Sequence, residues 1–296
     1  MYQDFFQMHT MPFSLTPNPN FFCHLKGPLE ALNILKFCIH SGEGFIKIIG
    51  EVGCGKTLLC RKLLEYLDSN YVTAYIPNPD LTPLEIRKAF ARELGLEPTQ
   101  WQDQHELLTT IYQHLITLHT NNKKVILLID EAQALSDESL ETIRLLTNLE
   151  TENSKLLQVV LFAQPELDQR LSQPHLRQLK QRISFSYNLP LMNRQDLDTY
   201  LHHRLAKAGY THGHLFTKPA RNLLFRASRG IPRIVNILSH KALLVAYGRG
   251  EQQINRQAMR LAVHDTQPVK LANKYIFIFC VAVTIIIVSM IFMLTM

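Results

Sequence analysis

Residues Gly50 to Thr57 read GEVGCGKT and lie between an apolar run, Phe45 to Ile49, and a stretch with helical character. Gly50, Gly53 and Gly55 would weaken a strand or a helix, so their clustering marks a backbone demand. The spacing is G-x-x-x-x-G-K-[ST]. Glycines allow positive φ and let backbone N–H groups approach phosphate oxygens. A helix opening at Gly55 turns its positive end toward the same oxygens. Gly50, Glu51, Val52, Gly53, Cys54, Gly55, Lys56, Thr57 and Leu58 are therefore expected to wrap the phosphates of ATP. Lys56 would reach the β- and γ-phosphates, and the Thr57 hydroxyl would bind Mg²⁺. Such a loop works only between a buried strand and a helix, which sets the fold class as α/β with a parallel sheet covered by helices.

A second run supplies the other half of the site. Val125 to Ile129 is wholly apolar and ends in Asp130 and Glu131. A buried parallel strand would carry Asp130 to the same sheet edge as the glycine loop, where a carboxylate holds Mg²⁺ directly or through water. Glu131 is placed to orient and deprotonate an attacking water. The strand expected at 72–76, between the loop and the acidic strand, together with this glutamate favours hydrolysis over transfer to a small molecule.

Strands are expected at 45–49, 72–76, 125–129, 156–162 and 183–188. Helices are expected at 28–40, 55–68, from the Thr82 capping box to Gly95, and at 104–120, 136–146 and 166–182. From about Asn193 only helices follow, at 194–208, 218–228, 232–247 and 255–264. The chain thus divides into an α/β nucleotide-binding core (1–189), an all-helical lid (190–265) and a linker (266–274). Last comes an uncharged segment, Tyr275 to Met296, long enough to span a bilayer of roughly 30 Å. Lys270 and Lys274 precede that segment, which by the positive-inside rule places the body in the cytoplasm, as a single-pass, tail-anchored protein. No charged and apolar leader opens the chain, so no signal peptide is expected.

The net charge of +6 permits an anionic partner without selecting one. Five scattered cysteines form no C-x-x-C pair, so neither a zinc site nor a disulfide framework is expected. His202-His203 and His212-Gly213-His214 lack Cys or carboxylate partners at ligand spacing.

Three more polar positions could serve a bound nucleotide. Gln164 follows the strand at 156–162, where it would contact the γ-phosphate or the water. Arg182, with Arg177 in reserve, could reach a neighbouring subunit's site as an arginine finger. Arg233, in RGIPRIVN, would open a lid helix and touch the γ-phosphate.

Taken together these motifs resemble the AAA+ ATPases of the general-secretion-pathway A (ExeA-like) family. The resemblance covers about residues 1–265. It rests on PFSLTPNP (12–19), GEVGCGKT (50–57), IDEAQ (129–133), AQPEL (163–167) and RGIPR (229–233). Within the family, GEGFIK, GKTLLCRKLL, AYIPNP, LLTNLET, LLQVVLF and HKALLVAYG look like the branch serving mannose-sensitive haemagglutinin (MSHA) pili. Cys54 stands where the family usually has Thr, and Ala163 where it usually has Gly; neither position carries the chemistry. The resemblance implies a self-associating ATPase of the bacterial inner membrane serving a type IV pilus-like or type II secretion-like machine. Family members often carry a periplasmic peptidoglycan-binding domain, and that role is not carried over to this sequence.

Two other functions share the core. A DNA-linked regulator of initiator or transposition type would normally add a helix-turn-helix or a basic domain, and none is evident, so nucleic acid is not the expected partner. A tethered scaffold that binds ATP with little turnover would keep the loop but not depend on Glu131.

Overall fold

The computed structural model describes residues 2–97, 104–150 and 154–266. The described residues form two compact units, one of 17–191 and the other of 2–16 with 192–266.

The larger unit is built on five parallel strands: β1 (Phe45–Ile49), β2 (Tyr71–Ile76), β3 (Lys124–Ile129), β4 (Leu157–Ala163) and β5 (Phe185–Asn188), in the order β2-β3-β4-β1-β5. Alternation along each strand sends side chains to both faces. Phe45, Ile49, Leu127, Ile129, Val159 and Leu161 join one apolar cluster, and Ile46, Ile48, Leu128, Val160 and Phe162 join the other. Both faces are covered, which is why β1, β3 and β4 are almost wholly apolar, with Lys47 and Gln158 the buried polar exceptions among them. Helices α2 (Lys26–Ser41) and α3 (Lys56–Tyr66) pack on the second cluster's face. Helices α4 (Pro83–Glu93), α5 (Gln104–Thr120), α6 (Asp137–Leu146), α7 (Pro165–Leu171) and α8 (Arg177–Arg182) pack on the first. Lys47, buried in β1, ion-pairs with Asp168 of α7, which offsets the cost of a lysine in that strand.

The cap at Thr82 is a full capping box with Glu85, and Ser136 accepts from the Ser139 N–H to start α6. The single helix expected over 166–182 is instead α7 and α8, separated by a 3₁₀ turn at Pro174–Leu176. Pro174 lacks the N–H that would continue α7 and clashes with the preceding turn.

The second unit holds α1 (Tyr2–Phe5), α9 (Arg194–Lys207), α10 (Lys218–Ser228), α11 (Pro232–Gly248) and α12 (Arg256–His264). The lead-in, read from sequence with the core, belongs here through residue 16. Phe6, Met8 and Phe13 are buried, the His9 N–H donates to the Ala208 carbonyl (2.7 Å), and Arg204 donates to the Pro12 and Ser14 carbonyls. Burying Phe6, Met8 and Phe13 takes apolar surface out of water, and Arg204 supplies donors to two carbonyls of the segment. α1 was not expected from sequence. The segment 275–296, expected to cross a membrane, lies outside the described residues. Among the described residues no helix is long and apolar enough to do so.

RGIPR is explained first by packing. Arg229 and Gly230 both adopt left-handed backbone (φ 53° and 76°), and the Gly230 carbonyl accepts the Met192 N–H (3.1 Å). A Cβ on Gly230 would lie 2.1 Å from the Met192 carbonyl oxygen. Pro232 then opens α11. Gly230→Ala is expected to cost about 1–3 kcal/mol of stability in urea unfolding, because backbone rather than a pliable side chain must move. An unchanged midpoint would show that the turn tolerates a side chain.

Candidate nucleotide site at the strand tips

Because the sheet is parallel, β1, β3 and β4 all end at one edge, the edge at which ligands bind in open α/β sheets. The 50–58 loop leaves the tip of β1. The Gly50 N–H donates to the Ala163 carbonyl of β4 (3.0 Å), fixing the start of the loop. A Cβ there would lie 2.6 Å from Cys54 Sγ and 3.2 Å from Leu189 Cβ, so no larger residue fits. Gly53 and Gly55 take φ of 78° and 107°, and Gly55 caps α3 without any side-chain hydrogen bond. The first N–H groups of α3 thus have no capping side chain and face the loop, the arrangement that receives an anion.

Lys56 is only 4% exposed. Its Nζ donates to the loop's own carbonyls, Gly50 O (2.7 Å) and Glu51 O (3.1 Å), which holds a cation inside the curl of the loop. Cys54 is buried in the curl, and that burial pushes its thiol pKa up. Glu51 and Val52 are exposed at the loop's outer edge.

The β3 tip meets this loop. Asp130 is 2% exposed and lies beside the Thr57 hydroxyl, while its Oδ1 accepts the Glu131 N–H (2.9 Å). Burial pushes the Asp130 pKa up, and the Thr57 hydroxyl and the Glu131 N–H pull it back. A buried carboxylate beside a hydroxyl is an oxygen donor set of the kind that hard divalent cations take. Mg²⁺ fits this pair, and the nucleotide's phosphates fit the glycine curl with its enclosed lysine.

Glu131 follows with left-handed backbone (φ 49°, ψ 38°), a strained conformation for a non-glycine residue. It opens a 3₁₀ turn, Ala132–Ala134. Its Oε2 accepts from the Gln164 side-chain amide (2.9 Å) and from the Gln133 amide. Gln164 caps α7 at the β4 tip, between the loop and the acidic strand. Lys56, Thr57, Asp130, Glu131 and Gln164 are therefore gathered on one edge.

The arginines are placed differently. Arg177 and Arg182 are exposed on α8 and make no hydrogen bond or ion pair among the described residues. Arg233 is exposed in the first turn of α11, in the helical unit. Sequence reasoning gave no role to Gln133, which the structure sets between Glu131 and Gln164, nor to Arg170 and Asp137 behind it. The available signal was an amide two positions after the glutamate in IDEAQ.

Residues 39–171 match the family model described as an AAA domain. The chain is 41% identical over 270 residues to general secretion pathway protein A of Aeromonas hydrophila. That match covers 91% of this chain and 49% of the relative, so the chain spans about half of that protein's length. Among solved structures, the Aeropyrum pernix ORC1 protein in complex with DNA aligns with a TM-score of 0.64 at 19% identity, over 85% of this chain and 68% of that one. The Aeropyrum pernix ORC2 protein in ADPNP–ADP complexes gives 0.61 at 19% identity, over 84% and 72%. The Thermotoga maritima RuvB Holliday junction branch migration motor gives 0.54 at 15% identity, over 82% and 70%. These likenesses show the α/β P-loop fold.

Lys56→Ala removes the enclosed cation while leaving the glycine curl. Affinity for a fluorescent ATP analogue should fall roughly ten- to a hundredfold, the worth of a charged hydrogen bond. Undiminished binding would place the nucleotide elsewhere.

Proposed function

The chain belongs to the AAA ATPases of the general-secretion-pathway A type, and from that membership and the strand-tip geometry we propose that it binds ATP with Mg²⁺ and hydrolyses it. The observation that carries this reading is Lys56, buried inside the glycine curl with its Nζ on the Gly50 and Glu51 carbonyls, at the sheet edge where β3 ends in the buried Asp130 and in Glu131. Loop N–H groups and the first turn of α3 receive the phosphates, and Lys56 turns from the loop carbonyls to their oxygens. Mg²⁺ on Thr57 and Asp130, directly or through water, would neutralise charge on the β- and γ-phosphates. Glu131 takes the proton of the attacking water, and Gln164 helps to orient it. The fixed dipoles of the loop act where charge accumulates, which is where such groups contribute most to rate.

In this reading the chain self-associates, and Arg182 of one subunit, or Arg177, completes a neighbour's site. Arg233 contacts the γ-phosphate from the helical unit, which acts as a lid. Residues 275–296 anchor the protein in the bacterial inner membrane with its ATPase body in the cytoplasm. Nucleotide state is passed to a pilus-like machine, of the MSHA type on the sequence resemblance, or to a type II secretion machine. The general secretion pathway relative supports the secretion setting.

Glu131→Gln should lower steady-state turnover by about 10²–10⁴-fold, the usual worth of a general base, with ATP affinity kept. Unchanged turnover would favour a nucleotide-dependent scaffold. Removal of residues 275–296 should move the protein from the membrane fraction to the soluble fraction; persistence in the membrane would place the anchor elsewhere.

A further inference from the structure

Glu131 sits in a backbone conformation that a non-glycine residue adopts only when its surroundings hold it there. Gln133 supplies that hold with three groups at once. Its Nε2 donates to Glu131 Oε2, its Oε1 accepts the Gln164 backbone N–H (3.0 Å), and its carbonyl accepts from Arg170 Nη1 (2.9 Å). The partners also fix which way the amide points. Turned over, it would set an oxygen against the Glu131 carboxylate and an N–H against the Gln164 N–H. Arg170 is pinned in turn. Its Nη2 ion-pairs with Asp137 at the start of α6, and Asp137 Oδ2 is bonded to His175 Nε2 (2.7 Å) in the turn before α8. Arg170 and His175 together hold the Asp137 carboxyl below the usual carboxylate range.

We propose that Gln133 is the positioning residue for Glu131, and that the Arg170–Asp137 pair braces Gln133 from behind. The proposal rests on the hydrolytic reading of Glu131. Gln164 and Gln133 place their amides on the same oxygen, so the carboxylate is clamped from the β4 side and from its own turn. Gln133 need not touch the nucleotide to do this. The brace ends in the turn leading to α8, where Arg177 and Arg182 stand exposed. The surface proposed to meet a neighbouring subunit is thus tied by consecutive hydrogen bonds to the base that activates water.

The test measures kcat and KM for ATP, ATP affinity and thermal midpoint on the full-length protein. The variants are Gln133→Glu, Gln133→Ala and Asp137→Asn, with Glu141→Gln as control, since among the described residues Glu141 pairs with Arg144 of its own helix and with nothing in the network. Gln133→Glu keeps the shape, the acceptor for Gln164 and the carbonyl for Arg170, but puts a like charge where the donor was. It should lower kcat roughly ten- to a hundredfold with KM, affinity and melting near wild type. Gln133→Ala should do the same, so that poor folding of one variant leaves the other to decide. Asp137→Asn should lower kcat in the same manner but less, and the control should not. Wild-type kcat in either Gln133 variant, or a loss matched by lost ATP affinity, overturns the positioning role. An Asp137→Asn enzyme no slower than the control overturns the brace. A wild-type protein with no turnover sinks the hydrolytic reading and this proposal together. Turnover that Glu131→Gln abolishes and Gln133→Glu spares sinks the proposal alone.

Discussion

The juxtaposition of Thr57 and Asp130 is the constraint from which the rest of the site follows. One belongs to the first turn of α3, the other to the tip of β3, and β4 runs between their strands. They come together because β1, β4 and β3 are parallel neighbours in that spatial order and end at the same edge. The sheet supplies this because each of the three strands is apolar on both faces and sinks between two layers of helices. A buried carboxylate is costly, and the Glu131 N–H that it accepts and the nearby Thr57 hydroxyl offset part of that cost. The remaining cost suits a metal site, since a divalent cation stabilises the ionised form that burial opposes.

Much of this was legible in the sequence because each signal had a single physical cause. Gly50 is glycine because Cys54 and Leu189 fill the space its side chain would take, and Gly53 and Gly55 because their φ is positive. Asp130 and Glu131 stood out because a run buried on both faces has no other reason to end in two carboxylates. Strand ends moved by a residue or two, as fraying termini do. What stayed hidden depended on partners distant along the chain. Gln133 and Arg170 lie 37 positions apart and share no periodic pattern. The lead-in was assigned by proximity in sequence, whereas its placement follows from Phe6, Phe13 and the carbonyls that Arg204 satisfies. Pro174 is a break that the helical character of the residues on both sides masks.

The two arginine assignments rest on different ground from the strand-tip residues. Arg233 shares its motif with a turn whose glycine is demanded by contact with Met192, so packing alone accounts for part of RGIPR. Arg177 and Arg182 are long, charged and exposed on a short helix, positions that cost little to keep and are ready for a partner. The strand-tip residues differ in kind: Lys56 and Asp130 are buried charges, which a fold retains at a cost that binding can repay.

Calorimetric titration of the purified, folded protein with ATP, in the presence and absence of Mg²⁺, is the most direct measurement. A nucleotide seated between the glycine curl and the Thr57–Asp130 pair should give a saturable heat at one site per chain, tighter with Mg²⁺ than without. No heat from a sample whose circular dichroism shows the native helix content would contradict it, and the site would then be a fold inherited without its ligand.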